Sequence, residues 1–500
     1  MTNADEQLRQ GDGPRNQWKT LDKDLGRISV LEQATATISR PLVAPGLALL
    51  FVIGVALVAL ALIGASPSGL VIVGAAVVAA YMALNIGAND VANNMGPAVG
   101  AKALTMGSAL VIAAICETAG ALIAGGDVVS TISSGIVSPE VVADSATFVW
   151  LMLSALIAAA LWINLATVLG APVSTTHSVV GGVVGAGVVA AGFDAVNWSQ
   201  MTSIAASWVI SPVMGGVIAA ALLAFIKAKI AYVDDKLAAA RKWVPILTGL
   251  MAGVFATYLA LKGLRRIIEV DSPTAVAIGI AIGVACWLAS RPLIERQSRG
   301  LENRKKSLRV LFSLPLIVSA ALLSFAHGAN DVANAVGPLA AVVHTVQAGS
   351  VEASVSIPSW VMIIGAIGIS LGLMLFGPKL IMLVGDQITK LNPMRAYCVA
   401  LSAAVTVIVA SWLGLPVSST HIAVGGIFGV GFFREWHAER RARMLGLQKG
   451  KVVPPEERRR RKLVRRSHAV TVAMAWVITV PFSALLSAGL YLVLSHFSLG

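Results

Sequence analysis

Apolar runs of about 20 residues, the length an α-helix needs to cross a bilayer, recur along this chain from Leu42 to Leu494, separated by short polar or Pro/Gly-bearing breaks. They lack the strict alternation of a membrane β-strand. The first covers 42–64 and ends at Ala65-Ser66-Pro67-Ser68-Gly69. The second, 70–88, leads into a polar string, and Gly96-Pro97 just beyond it is expected to stop or bend the helix. Further spans are predicted at 107–125, 146–169, 203–226, 244–264, 273–293, 310–329, 357–384, 395–414 and 468–494. The segment 126–145, with Asp127, Glu140, Asp144 and several serines, reads as a loop or hairpin exposed on one side, and Pro172 as a break. The pattern predicts an all-α polytopic membrane protein with about 10–12 transmembrane segments.

Two polar strings interrupt these runs, and each occurs twice. Gly87-Ala88-Asn89-Asp90-Val91-Ala92-Asn93 returns as Gly328-Ala329-Asn330-Asp331-Val332-Ala333-Asn334. Pro172-Val173-Ser174-Thr175-Thr176-His177 is echoed by Pro416-Val417-Ser418-Ser419-Thr420-His421, each with Gly-Gly four residues after its His. Asp90 precedes Ser174 by 84 positions and Asp331 precedes Ser418 by 87. Two motifs repeated in register imply an internal duplication, which in membrane proteins points to inverted repeats with broken or re-entrant helices and a site at their interface.

Composition agrees: 57% of residues are hydrophobic and 13% charged, with a mean hydropathy of +0.81. The net charge of +13 is unevenly placed, since Arg434 to Arg466 carries thirteen Lys or Arg against four Glu. That stretch reads as a cytoplasmic loop obeying the positive-inside bias and touching anionic lipid, not as a nucleic-acid site. Its Val452–Glu457 centre reads as a flexible link. Cys116, Cys286 and Cys398 are far apart, so neither a disulfide framework nor a metal site is expected. The expected organisation is a soluble tail (1–41), an extra first span (42–69), transport repeat 1 (70–226), a two-span connector with basic loops (227–309), transport repeat 2 (310–433), the basic loop (434–467) and a last span (468–500). If all basic links are cytoplasmic, the N-terminus is inside.

The chemistry follows from what such residues do in a membrane. A carboxylate at the bilayer centre costs about 2.5–3.5 kcal/mol on insertion scales, so Asp90, Asp331 and Glu117 each need a reason to be there. Flanked by Asn89, Asn93, Asn330 and Asn334, the two aspartates offer oxygen-rich ligands to protons or hard cations, or alternatively cap broken helices. Ser174, Thr175 and Thr176, with Ser418, Ser419 and Thr420, would open helices whose free N–H groups and dipoles favour an oxyanion; alternatively they bond only carbonyls of their own helices. His177 and His421 either tune or relay protons or merely fix the backbone at the break. Lys102 and His327 are weaker candidates, near the site in sequence only.

On these residues the sequence resembles the inorganic phosphate transporter (PiT) family, whose signature is the duplicated Gly-Ala-Asn-Asp-Val-Ala-Asn motif, and it looks most like the bacterial low-affinity branch. The resemblance implies a non-enzymatic symporter of the plasma membrane, the bacterial inner membrane, importing phosphate with protons or sodium. The bacterial branch implies protons and a divalent metal phosphate as the transported species. Asn89, Asp90, Asn330 and Asp331 would line the substrate and cation site, the six hydroxyl residues would hold phosphate, and Glu117 falls in the family's Glu-Thr-x-Gly-Ala stretch. Aligning Gly120 with Gly372 puts Ile369 opposite Glu117, a departure from perfect duplication. Arsenate should compete with phosphate, no cofactor is expected, and a homo-oligomer is compatible with the reading. Two rivals are a channel between half-helices and an intramembrane aspartyl protease with Asp90 and Asp331 as its dyad.

Overall fold

The computed structural model describes residues 42–138, 141, 142, 144–169, 173–263, 270–352, 354–387, 392–444 and 466–496. The N-terminal tail, Glu140, Pro172 and 445–465 of the basic loop, including Val452–Glu457, lie outside them. The chain divides into two units, 1–51 and 52–500. In the first, residues 42–51 are helical; the second holds both duplicated motifs.

Eleven helices among the described residues are long and apolar enough to cross a membrane. The first is α1 (Leu42–Ile63). It is followed by α2 (Pro67–Gly100), α3 (Met106–Ala124), a short α4 (Gly126–Ser130), α5 (Ser145–Leu169), α6 (Thr175–Ala191), α7 (Trp198–Ile226), α8 (Lys236–Lys262) and α9 (Ser272–Ser298). Then come α10 (Leu308–Leu311), α11 (Ser313–Asp331), α12 (Ala333–Ala348), α13 (Ser359–Gln387), α14 (Pro393–Trp412), α15 (Ser419–Met444) and α16 (Arg466–Leu494). The only extended pairing among the described residues is an isolated bridge between Val137 and Val196.

Two expectations need correction. The first Asn-Asp motif does not end its helix: α2 runs through Gly96 and Pro97 to Gly100. Proline removes one N–H and one ladder bond, and here the burial of Asn94, Met95, Gly96 and Ala98 on both sides of it keeps the helix intact. The segment after α3, expected as a loop or hairpin exposed on one side, is partly helical. Residues 126–135 form α4 and one π-helical turn, Thr131–Gly135, with Val128, Val129, Ile132 and Ser133 buried.

The packing exchanges partners between the two motif-bearing regions. α2 crosses α13, and α11 crosses α3. α6 lies on α16, and α15 lies on α7. Glycines permit these approaches: a Cβ on Gly87 would strike the carbonyl oxygen of Ile369, and one on Gly328 would strike that of Glu117. Gly120 meets Phe325 as Gly372 meets Leu84. The pairing of Ile369 with Glu117 read from sequence is thus reproduced by packing, since each lies under the equivalent glycine. Thr118 and Ser370, equivalent by the same alignment, hydrogen-bond each other at 2.6 Å.

Candidate functional site

The hydroxyl motifs open helices, as the sequence suggests. Ser174 is the N-cap of α6, its Oγ accepting the His177 N–H at 3.2 Å. Ser418 does the same for α15, accepting the His421 N–H at 3.3 Å. The two helix starts face each other. The Thr176 hydroxyl donates to the Val417 carbonyl at 3.1 Å, and the rings of His177 and His421 meet edge to face with centroids 4.6 Å apart. The His177 ring also packs 3.9 Å from Trp208, whose indole N–H donates to the Pro416 carbonyl at 3.0 Å. Neither His177 ring nitrogen has a hydrogen bond among the described residues.

The motif helices α2 and α11 supply carboxylates to the same place. Asp90 and Asp331 are each 1% exposed. Asp90 accepts from the Thr420 hydroxyl at 3.1 Å and from Thr175 at 3.4 Å; Asp331 accepts from Ser419 at 3.1 Å. The asparagines one turn further along donate across the interface, Asn93 to Thr420 at 2.8 Å and Asn334 to Thr176 at 3.1 Å. One carboxylate oxygen of Asp331 and the side-chain oxygen of Asn334 have no donor. Buried acceptors without donors favour a cation or a proton beside them.

The asparagines that precede the aspartates differ. Among the described residues Asn89 makes only a long 3.5 Å contact with its neighbour Asp90. Asn330 uses its amide to donate to Ser411 at 3.0 Å and to the Leu415 carbonyl at 3.2 Å, and its oxygen accepts the Val417 N–H at 3.2 Å. It braces the non-helical stretch 413–417 that leads into α15.

At the centre is His327, which sequence reasoning ranked among the weaker candidates. It is fully buried. Its Nε2 lies 2.8 Å from Asp331 and 3.7 Å from Asp90, and its Nδ1 lies 3.3 Å from Glu117. Glu117, also fully buried, accepts from Asn94 at 3.0 Å. One imidazole thus joins three carboxylates. No Lys or Arg pairs with any of them among the described residues; Lys102, beyond the end of α2, is exposed. His327 stands one helical turn before Asp331, and that i, i+4 spacing was the available signal. Asn94 and Ser370 also escaped notice.

This arrangement fits the chemistry of small ions. Ligand atoms of Asp90, His327 and Asp331 lie within 4.8 Å of one another, close enough to share a proton or a metal ion. Uncompensated buried charge is strongly destabilising. Three carboxylates with at most one positive imidazole therefore require further protons or cations, and more so before an anion can enter. Beside them stand the N-terminal ends of α6 and α15, whose dipoles are of a sign that favours anions, with the hydroxyls of Thr175, Thr176, Ser419 and Thr420.

Comparison with known proteins gives the same class. Residues 86–487 match the phosphate transporter family, PHO4, and the chain belongs to that family. Two Helicobacter pylori proteins named "Putative phosphate permease" are 45% identical over 94% of this chain and 98% of their own length. One of that name from Haemophilus influenzae is 37% identical over 71% of this chain and 86% of its own. A solved structure named "The sodium-dependent phosphate transporter" matches with a TM-score of 0.76 at 35% identity, over 86% of this chain and 100% of that one. These are transporters rather than enzymes, and the chain is a multi-pass helical membrane protein of their kind.

Proposed function

We propose that this protein is a secondary active symporter that imports inorganic phosphate, with protons as the coupling ion, through two inverted repeats that alternate access around the site. The observation that carries the coupling is His327 held between Asp331, Asp90 and Glu117. An imidazole bridging carboxylates passes protons readily, whereas its nitrogens are poor ligands for a hard cation. Protonation of the cluster removes negative charge next to the ends of α6 and α15. Phosphate then binds the hydroxyls of Thr175, Thr176, Ser419 and Thr420 and the free N–H groups of those helix starts. Ser174 and Ser418 act by capping, Asn93 and Asn334 by orienting Thr420 and Thr176, and Asn330 by holding the bend before α15. An anion entering a negative interior works against roughly 2.3 kcal/mol per charge per 100 mV, which co-transported protons offset.

Arsenate, of the same shape and charge, competes, and a divalent metal phosphate enters the same site. The basic links at 227–242 and 295–309 support a cytoplasmic N-terminus in a bacterial inner membrane. A second reading, sodium coupling, is favoured by the likeness to a transporter named as sodium-dependent and by the unpartnered oxygens of Asp331 and Asn334.

Radiolabelled phosphate uptake into proteoliposomes decides between them, under an imposed proton gradient and then a sodium gradient. Protons alone should drive uptake by the wild type, and Asp331→Asn should abolish it. Uptake driven only by sodium would replace the coupling ion in this proposal, and no gradient-dependent uptake by folded protein would overturn the symporter.

A further inference from the structure

Away from the transport site, one end of the bundle gathers cations from four separate segments. Lys227 follows the last turn of α7, Arg395 lies in the first turn of α14, Arg434 is in the outer part of α15, and Lys305 and Arg309 flank the start of α10. Lys227 feels the charges of Arg434, Arg395 and Lys305, and Arg395 feels those of Arg434 and Arg309. Tyr232 joins them. Its ring is covered by the Lys305 ammonium at 4.0 Å, its edge meets the His437 ring at 5.4 Å, and both Arg395 and Arg434 sense its hydroxyl.

Ordinary loop charge does not account for this. Lys227, Arg395 and Arg434 are each only partly exposed, and the helices that carry them pack together, α7 against α14 and α15 and α14 against α15. None of the five makes an ion pair with a carboxylate among the described residues. Of the nearby acids, Asp235 caps α8 and Glu302 pairs with Arg304, while Glu435, next to Arg434 in sequence, acts on it electrostatically. The Phe433 ring under Lys227, at 4.8 Å, offsets little of the mutual repulsion. Like charges held together at reduced exposure favour a polyvalent anion, and two guanidinium forks suit phosphoryl oxygens.

We propose that Lys227, Lys305, Arg309, Arg395 and Arg434, with Tyr232, form a second anion site that binds a phosphoryl group and ties α7, α10, α14 and α15 together. It is distinct from the transport site: Arg395 lies sixteen residues before Ser411 on α14, about 24 Å along a helix. Its position at helix ends admits two sources of the same chemistry, the headgroup of an anionic phospholipid or a soluble phosphate or polyphosphate.

The test uses the full chain in nanodiscs of neutral phosphatidylcholine. Binding is measured by native mass spectrometry and thermal shift, with phosphatidylglycerol as one probe and tripolyphosphate as the other. The wild type should retain at least one of these probes. Arg395→Gln/Arg434→Gln should bind it at least about tenfold more weakly, having lost two charge-assisted contacts. Arg291→Gln/Arg296→Gln, which removes the same charge from the exposed end of α9, should bind as wild type does. Retention of phosphatidylglycerol alone assigns the site to lipid, and of tripolyphosphate alone to a soluble anion. If the Arg395/Arg434 variant does not fold, Lys305→Gln/Arg309→Gln on the rim carries the same expectation. Failure of the wild type to bind either probe, or equal weakening by the α9 control, overturns the proposal.

Discussion

The two motif regions pack alike and differ in chemistry. Gly87 and Gly328 each rest on a backbone carbonyl of a partner helix, and Asp90 and Asp331 each accept a hydroxyl from the start of a broken helix. Yet where one side of the interface has His327, Glu117 and Asn94, the equivalent positions of the other are Ile86, Ile369 and Ala335. All three polar residues are buried and linked, while Ile86, Ile369 and Ala335 are buried core. The lesson is that the duplicated frame carries the helix ends, their hydroxyls and the two aspartates, while His327, Glu117 and Asn94 have no polar counterpart. Packing alone does not require them, because isoleucines fill the same space opposite.

The sharpest way to break this comparison is to make the two sides equal. Asn94→Ala/Glu117→Ile/His327→Ile, which copies the apolar side onto the polar one, should lower gradient-driven uptake to background. Its Tm should fall as well, since Asp90 and Asp331 lose the imidazole between them and removing one partner from a buried ionic group is destabilising; undiminished uptake by the folded variant would show that the cluster does not drive transport. The converse change is next in size. Ile369→Glu puts a carboxylate where no imidazole waits and should destabilise by about 3–5 kcal/mol, with Ile86→His in the same chain recovering part of the loss in a denaturation experiment.

Thr420→Val removes the hydroxyl that Asp90 and Asn93 share. It should raise the KM for phosphate by roughly tenfold with a smaller change in maximal rate; an unchanged KM would remove Thr420 from the substrate site. The smallest effect concerns what the sides have in common. Gly87→Ala and Gly328→Ala should each destabilise by about 1–3 kcal/mol and by similar amounts, and a large difference between them would show that the packing too is one-sided.

Most of the frame was legible in the sequence, because duplicated motifs leave marks that do not depend on tertiary structure. The hydroxyl triplets announced helix starts, and the spacing of Gly120 and Gly372 set Ile369 opposite Glu117. What escaped depends on contacts across the interface. His327 looked peripheral because two of its partners, Asp90 on α2 and Glu117 on α3, precede it by more than two hundred residues. Asn94 sits one place past the motif, and its bond to Glu117 needs α2 and α3 side by side. Gly96-Pro97 left a stop and a bend both open, and α2 does not stop there: it continues through them to Gly100, with Asn94, Met95, Gly96 and Ala98 buried.

The central claim, that the one-sided cluster couples protons to phosphate, is tested most directly by watching the protons. Proteoliposomes loaded with a pH-sensitive dye should acidify internally when phosphate is added outside at zero sodium. The signal should track phosphate uptake and vanish in His327→Ile. Phosphate uptake by the wild type with no change in internal pH, or an undiminished pH signal in His327→Ile, would contradict the account.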